Sequence, residues 1–429
     1  MANIKLDEMR PPNLERHGLG NYNETAETQE IRRQVGRFAR EVMRPTGIAL
    51  DRLRADEVIA QASPIWEYLD NVKRSGLFEL TAILSLTADE QREILPAISE
   101  ELGWGDVGLG LLNFVSGFTS LTAASTGDRE LIDRFANTLG CWVGSQPDRG
   151  SDVLDLAGMA TYPGTKAEKG TLTVKKSGED YIIQGQSSAW ISGAPIATAG
   201  VLYAACDYGS GFYADDDKLN YVGILVPFDE PGVRKGEPLE KLGQRSLPQG
   251  ELFFDSVRLP ARYVIAGREH AYAGVNTTVM LANLNMGMTH IGLARAAFEY
   301  ALDYVHERKQ GGVPLIRHQN VGARIFSMWQ KLEVARALST RVVNYHFGPL
   351  GPHSIASIGS KTFVTETTFE IAREALNLFG ANGLSRGYPI EKLSRDAQTS
   401  LIEDGENNFL HILGGAWLGR WHQEIYSRF

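Results

Sequence analysis

The sequence predicts an α+β multidomain chain, helical at both ends around a central β-rich stretch, and three changes of texture carry that expectation. Over the first 140 or so residues apolar side chains recur at helical spacing, as with Ile31, Val35, Phe38 and Val42, in a charged stretch that Pro45 is expected to close. Between Gly140 and Arg262 the pattern changes to short β-type runs separated by turn residues. Thr171-Leu172-Thr173-Val174 and Tyr181-Ile182-Ile183 flank a turn at Ser177-Gly178-Glu179-Asp180, and runs from Tyr221 to Val226 and from Glu251 to Phe254 follow. From Gly274 the helical period returns, with Ile325, Met328, Trp329, Leu332, Leu338 and Val342 mostly on one face of a long helix. The expected divisions are a helical domain over 1–139, a small barrel or sandwich over 140–262 and a helical bundle over 263–429. Gly-Pro-Leu-Gly-Pro at 348–352 reads as a connection between two of the bundle's helices.

Composition narrows the function. A chain of 429 residues exceeds what one core organises, and its 43% hydrophobic and 22% charged content is that of an ordinary folded protein. A net charge of −9 without any Lys/Arg run speaks against nucleic acid, while leaving room for a small phosphate-bearing ligand. Cys141 and Cys206 form no CxxC pair, so neither a disulfide framework nor a zinc cage is expected, and a reducing cytoplasm is the simplest home. The histidines show no HExxH spacing, and no metal is expected. Met1 to Glu8 lacks the basic start and apolar run of a secretory signal, and no transmembrane segment is expected, for want of about eighteen apolar residues in sequence. Gly108-Leu109-Gly110 lacks the third glycine of a dinucleotide loop and reads as a helix-packing site.

Two segments about forty residues apart carry chemistry. The first, Trp142 to Asp152, clusters Pro, Gly and small hydroxyl residues at the helix-to-sheet boundary, where free N–H groups and hydroxyls suit a polar ring or a diphosphate. The second, Gly185 to Gly193, sets Trp190 beside Ser192. As a pair they resemble the acyl-CoA dehydrogenase family, whose segments read close to YCVTEPGAGSD and GxKxWITN and line a flavin. Ser145 takes the first Thr position, Ser151-Asp152 the terminal Ser-Asp, and Trp190-Ile191-Ser192 the WIT. The resemblance implies that Trp142, Ser145, Ser151, Trp190 and Ser192 contact FAD. A hydroxyl at 192 can donate toward a flavin as well as the usual Thr.

The C-terminal half extends the resemblance. Gly292-Leu293-Ala294, His306-Glu307-Arg308-Lys309 and Arg317-His318-Gln319 follow the family's GLA…ERKxFGxxxxxxHQ, which implies cofactor contacts at Arg308 and Gln319. Asn377-Leu378-Phe379-Gly380-Ala381-Asn382-Gly383 is similar to a family loop that reaches FAD on a neighbouring subunit. That implies roles for Asn377, Gly380 and Ala381 and an oligomer, either homodimer or homotetramer. After Arg395-Asp396-Ala397 the family's IYEGT becomes Ile402-Glu403-Asp404-Gly405-Glu406, placing the proton-abstracting base at Asp404, with Glu406 and Asn408 near the cofactor. Glu403 reads as a solvated neighbour. No Asp or Glu lies between Ala271 and Phe298, where some relatives keep the base instead.

The resemblance therefore implies an N-terminal helical domain, a central β-barrel-like domain and a C-terminal four-helix bundle, and a flavin-dependent α,β-dehydrogenation of an acyl-CoA. In that reaction Asp404 takes the α-proton, flavin N5 accepts the β-hydride, and an electron-transferring flavoprotein is the acceptor. Three departures stand out: Asp for Glu at 404, Gly311 in place of a Phe, and Asn283 in place of a substrate-side Arg. The shorter base suggests a branched or ring-bearing acyl group. Nitroalkane oxidase, of the same superfamily, shares the Asp, the Ser and the Gly-Gly. It differs at His411, where it carries an arginine, so a CoA-independent oxidase or monooxygenase is the alternative, and a non-catalytic binding descendant of the fold is a third reading.

Overall fold

A computed structural model describes residues 19, 24–76, 82, 83, 85–155 and 168–427. The leading segment Met1 to Glu8 lies outside the described residues. Helix α1 (Ala26–Phe38) starts where the Thr25 side chain accepts the backbone N–H of Thr28. The expected stop at Pro45 is corrected: the chain runs through a π-turn at Ala39–Met43 directly into α2 (Arg44–Asp51). Pro45 sits in the first turn of α2, where a missing N–H is least costly and the π-turn absorbs the ring. Helices α3 (Ala55–Ile59), α4 (Pro64–Ser75), α5 (Ala88–Gly105), α6 (Val107–Ser116), α7 (Phe118–Thr126) and α8 (Arg129–Phe135) complete the N-terminal part.

The stretch Val107–Thr126, 20 residues across α6 and α7, is long and apolar enough by length and composition to cross a membrane. This corrects the expectation that no run reaches that length, because Gly, Ser and Thr between the aliphatic residues hide it from a count of strictly apolar side chains. Here the run bends at Gly117, and α6 buries Val107 to Leu112. A Cβ on Gly108 would meet Ser246 and one on Gly110 would touch Thr289, so the Gly-Leu-Gly site is a packing site, as expected.

The central part is built on an eight-stranded sheet. Its strands are β1 (Trp142–Val143), β2 (Thr173–Ser177), β3 (Asp180–Gln186), β5 (Ala199–Asp207), β6 (Tyr221–Pro227), β7 (Val233–Lys235), β9 (Leu252–Pro260) and β10 (Val264–Ala266). They run in the order β10-β6-β5-β2-β3-β9-β7, with β1 parallel to β5. The short strands β4 (Ile191–Ser192) and β8 (Gln249–Gly250) pair separately. The β2–β3 hairpin turns at Ser177 to Asp180, as expected, with Gly178 taking a positive φ of 64°. Strand β6 is buried throughout and β5 almost so. One face packs Val174, Ile183, Leu202 and Ile224 together, and the other packs Val201, Tyr203 and Tyr221 against Phe118, Phe135 and Val275 of the helices. The first face thus packs on the sheet part's own side chains, and the second joins the sheet to the helices.

Helix α9 (Ala271–Glu307) is the axis of the C-terminal bundle and is buried on every side from Asn283 to Phe298. It crosses α5 at close range, since a Cβ on Gly292 or on Gly103 would strike the backbone of the other helix. Helices α10 (Gln319–His346), α11 (Ser354–Phe379), α12 (Pro389–Thr399) and α13 (Asn407–Tyr426) follow. On α10, Ile325, Met328, Leu332 and Val342 are buried while Trp329 and Leu338 are partly so, in line with the sequence pattern. The 348–352 segment connects α10 to α11.

Candidate active site

A cavity of about 770 Å³ opens where the N-terminal helices, the sheet, α9 and the turn after α12 meet. Its size and mostly apolar wall are those of a cofactor or substrate pocket. Leu111, Phe114 and Phe118 close it on the N-terminal side, and Thr278 and Val279 of α9 line another wall.

The two segments singled out in the sequence form the third wall. Ser145 and Ser188 share a hydrogen bond of 2.7 Å between their hydroxyls, and the Ser188 N–H donates to the Ser145 carbonyl at 2.9 Å. The first segment is thereby tied to the second. Trp142 presents a buried indole N–H that has no partner among the described residues. Trp190 leaves 60% of its surface open along the cavity, unusual for a side chain that prefers burial. Ser192 accepts a hydrogen bond from the Gln249 amide at 3.0 Å, which leaves its own proton to donate. An uncovered indole, an unpartnered N–H and a free hydroxyl proton suit a planar heterocycle such as a flavin ring.

Asp404 faces this wall from the turn between α12 and α13. Its backbone has a φ of 49° and that of Gly405 a φ of 99°. Aspartate is among the few non-glycine residues that tolerate the left-handed region. Three bonds fix the turn: the Asn283 amide donates to the Asp404 carbonyl at 3.3 Å, Lys361 to the Gly405 carbonyl at 2.7 Å, and the Glu406 N–H to the Ser151 hydroxyl at 2.9 Å. The carboxylate is open to the cavity and accepts no hydrogen bond from the described residues. Desolvation in this deep setting pushes its pKa up, and the ammonium of Lys361 opposes the rise.

The aim of that turn comes from α12. Lys392 is buried between two carboxylates, 2.6 Å from Asp106 and 2.5 Å from Asp396. Arg395 pairs with Asp51 at 2.7 Å and donates to the Leu242 carbonyl at 2.8 Å. Asp396 also accepts the backbone N–H of Gln244. Arg395-Asp396-Ala397 is therefore a clamp that locks α12 to the N-terminal helices and to the sheet part at once.

Several functional groups escaped the sequence reading. Glu403 is no solvated neighbour but lines the cavity, accepting the Gln244 amide at 2.7 Å. Desolvation, with Asp404 adding to it and Lys241 opposing, pushes its pKa up to about 7. Lys241 reaches the same cavity, donates to the Leu247 carbonyl at 2.7 Å, and is pushed down to about 8 by desolvation. Arg149 also lines the wall, bonded to Asp152 at 2.8 Å and to the Tyr221 hydroxyl at 2.9 Å. Arg149 and Glu403 sit within segments the sequence singled out, but their roles there, like that of Lys241, depend on partners from distant segments: Tyr221, Gln244 and Glu403.

A prediction follows for Glu403. A carboxyl whose folded pKa lies above its unfolded one stabilises the fold fully below the unfolded value, near 4.5, and loses that contribution as pH rises through about 7. Glu403→Gln is therefore expected to be more stable than the parent at pH 8, by on the order of 1 kcal/mol, and to show no gain at pH 4. Thermal melts at the two pH values check this, and a gain of equal size at both would contradict it.

The structure does not bring every expected residue to the cavity. Arg308, Gln319, Asn377, Gly380 and Ala381 are exposed and do not line it. Arg308 and the 377–381 segment flank Tyr304, whose ring stacks on Phe379 at 3.9 Å and whose hydroxyl accepts from Asn382 at 2.9 Å. Glu406 is not among the lining residues either, and its carboxylate accepts from Asn408 at 2.7 Å and from the Phe409 N–H at 3.0 Å, so it caps α13. Asn408 is an exposed partner of that cap. His411 pairs with Glu366 at 3.0 Å and does not line the cavity. Among the described residues no group of three His, Cys, Asp or Glu could hold a metal.

Comparison with known proteins agrees with the fold. The acyl-CoA dehydrogenase middle-domain family model matches residues 141–257 and the C-terminal-domain model matches 274–418. The chain is 28% identical over 408 residues to benzylmalonyl-CoA dehydrogenase of Aromatoleum aromaticum, covering 92% of this chain and 98% of the relative. It is 24% identical over 402 residues to cyclohexane-1-carbonyl-CoA dehydrogenase of Geobacter metallireducens, covering 91% and 97%. The solved butyryl-CoA dehydrogenase of Megasphaera elsdenii superposes with a TM-score of 0.76 at 19% identity, over 93% of this chain and all 100% of that one.

Proposed function

This chain belongs to the acyl-CoA dehydrogenase family, and from that premise we propose that it removes the α-proton and β-hydride of a CoA thioester, with Asp404 as the base. The observation that carries the assignment is the Asp404 carboxylate, which faces Trp190 and Ser192 across the cavity and is free of hydrogen bonds among the described residues. Its neighbour Glu403 is held by Gln244 and balanced by Lys241, and so is a poorer proton acceptor for substrate. Asp404 has the free lone pairs and the raised pKa that proton abstraction near neutral pH calls for.

FAD, when bound, supplies the hydride acceptor for the β-carbon. Trp142, Ser145, Ser151, Trp190 and Ser192 would hold it, Ser192 donating its free proton and Trp142 its unpartnered N–H. Arg308, Gln319, Asn377, Gly380 and Ala381, exposed away from the cavity, fit contact with the cofactor of a second copy, so the active form is a homodimer or homotetramer. An electron-transferring flavoprotein is the acceptor, and the cytoplasm the site of action.

The acyl group is branched or ring-bearing. Two relatives carry a ring in their named substrates, and a base one methylene shorter than glutamate calls for a substrate α-carbon held closer to the turn. Anaerobic titration of the yellow holoenzyme with linear, branched and cyclic acyl-CoAs tests this. Bleaching by a ring-bearing thioester, slow to reverse in air, is expected. Rapid peroxide formation from a nitroalkane with no bleaching by any thioester would overturn it.

A further inference from the structure

Lys361 is fully buried on α11, does not line the cavity, and lies directly behind the turn that carries Asp404. Burying an ammonium is costly unless several acceptors meet it. Two do so at short range: the Gly405 carbonyl and the Asn407 side-chain oxygen, each at 2.7 Å. Asn407 passes the tether back to α11, its amide donating to the Thr365 hydroxyl at 3.1 Å and to Glu366 at 3.2 Å. The two bonds from Lys361 hold the residue after the base and the first residue of α13. They therefore fasten the C-terminal side of the left-handed pair Asp404-Gly405.

Resting on the reading of Asp404 as the base, we infer that Lys361 is its positioning residue: it pins the 404–407 turn to α11 and supplies the buried positive charge behind the carboxylate. The charged groups facing it are Asp404, Glu403 and Glu406 from the turn and Glu366 from its own helix. His290 approaches from α9, hydrogen-bonded at Nδ1 to the Met286 carbonyl and held neutral by burial, with its pKa pushed down to about 4. Lys361 is thus the one cation in this set near neutral pH, and among these groups its charge alone favours an ionised Asp404. A lysine present only to fill space and cap α13 would leave the titration of Asp404 unmoved. A lysine acting on the base must move it.

The test compares the parent with Lys361→Met, which removes tether and charge, and Lys361→Gln, which keeps a donor without the charge. The Asp404 carboxylate band is isolated as the infrared difference between each protein and the same protein carrying Asp404→Asn, and is followed against pH without any substrate. In parallel, anaerobic flavin reduction by cyclohexane-1-carbonyl-CoA is timed across the same range, with FAD content measured for each protein. Both Lys361 variants are expected to raise the Asp404 titration by about one unit or more, and so to slow reduction by about tenfold per unit at pH values below that titration. Lys361→Gln should regain more of the parental rate than Lys361→Met at high pH, where only the tether matters. Should Lys361→Met fail to fold, the infrared titration of Lys361→Gln decides alone. A carboxylate titration unchanged in Lys361→Gln overturns the inference. Flavin reduction that survives Asp404→Asn would instead overturn the reading of Asp404 as base, and the infrared result would stand apart from it.

Discussion

Asp404→Asn is expected to lower the rate of flavin reduction by an acyl-CoA by about 10²–10⁴-fold while leaving FAD bound. Asparagine keeps the size of the side chain and is equally tolerant of the φ of 49° at this position, so the turn and its bonds to Asn283, Lys361 and Ser151 are kept. What is lost is the ability to take a proton. The same argument sets the pH dependence of the parent enzyme. Desolvation raises the Asp404 pKa above the ordinary carboxylate range, and only the ionised form abstracts a proton. Reduction should therefore fall as pH drops through that raised value and be flat above it. Rapid-mixing absorbance at the flavin band measures both effects. A rate in Asp404→Asn within a few-fold of the parent would assign the proton to another group, with Glu403 the nearest candidate on the cavity wall.

Much of this site was legible in the sequence because it is written in two kinds of local signal. The α-β-α order follows from the change of apolar period, and one cavity wall from two segments whose small and aromatic residues stay contiguous. Register from Arg395-Asp396-Ala397 put Asp404 in the turn that lines the cavity. The misreadings have a common physical origin. Pro45 stops a helix only when the helix has no other way to absorb it, and a π-turn provides one. Glu403 read as a solvated charge, and Lys241 drew no reading at all, because their environment depends on segments some 160 residues apart meeting at the cavity. Lys361, inside a helix rich in Thr and Ser, carries no mark at all until the turn is folded over it. Glu406 was given a cofactor role by position, whereas its carboxylate is consumed by the cap of α13.

The clamp behind the site carries the largest stability effect. Lys392→Met is expected to lower folding stability by about 3–5 kcal/mol at neutral pH, since it leaves Asp106 and Asp396 buried side by side without their shared cation. The two carboxyls already differ. Asp106 is held below the ordinary range by Lys392 and Ser246 against its desolvation, while burial pushes Asp396 up. A depressed carboxyl such as Asp106 stabilises the fold above its unfolded pKa and loses that contribution as pH falls, whereas Lys392, itself raised, contributes until pH climbs past its folded value. The deficit of the variant should therefore be greatest between about pH 6 and 9 and shrink toward pH 4 to 5, where protonation removes the repulsion between the two carboxyls. Urea denaturation at pH 5 and pH 7.5 reads this directly, and a deficit that is small or independent of pH would mean that the carboxyls find other partners. Because α12 aims the turn bearing Asp404, the same variant under folding conditions should also reduce its flavin more slowly than the parent, with Asp404 itself unchanged.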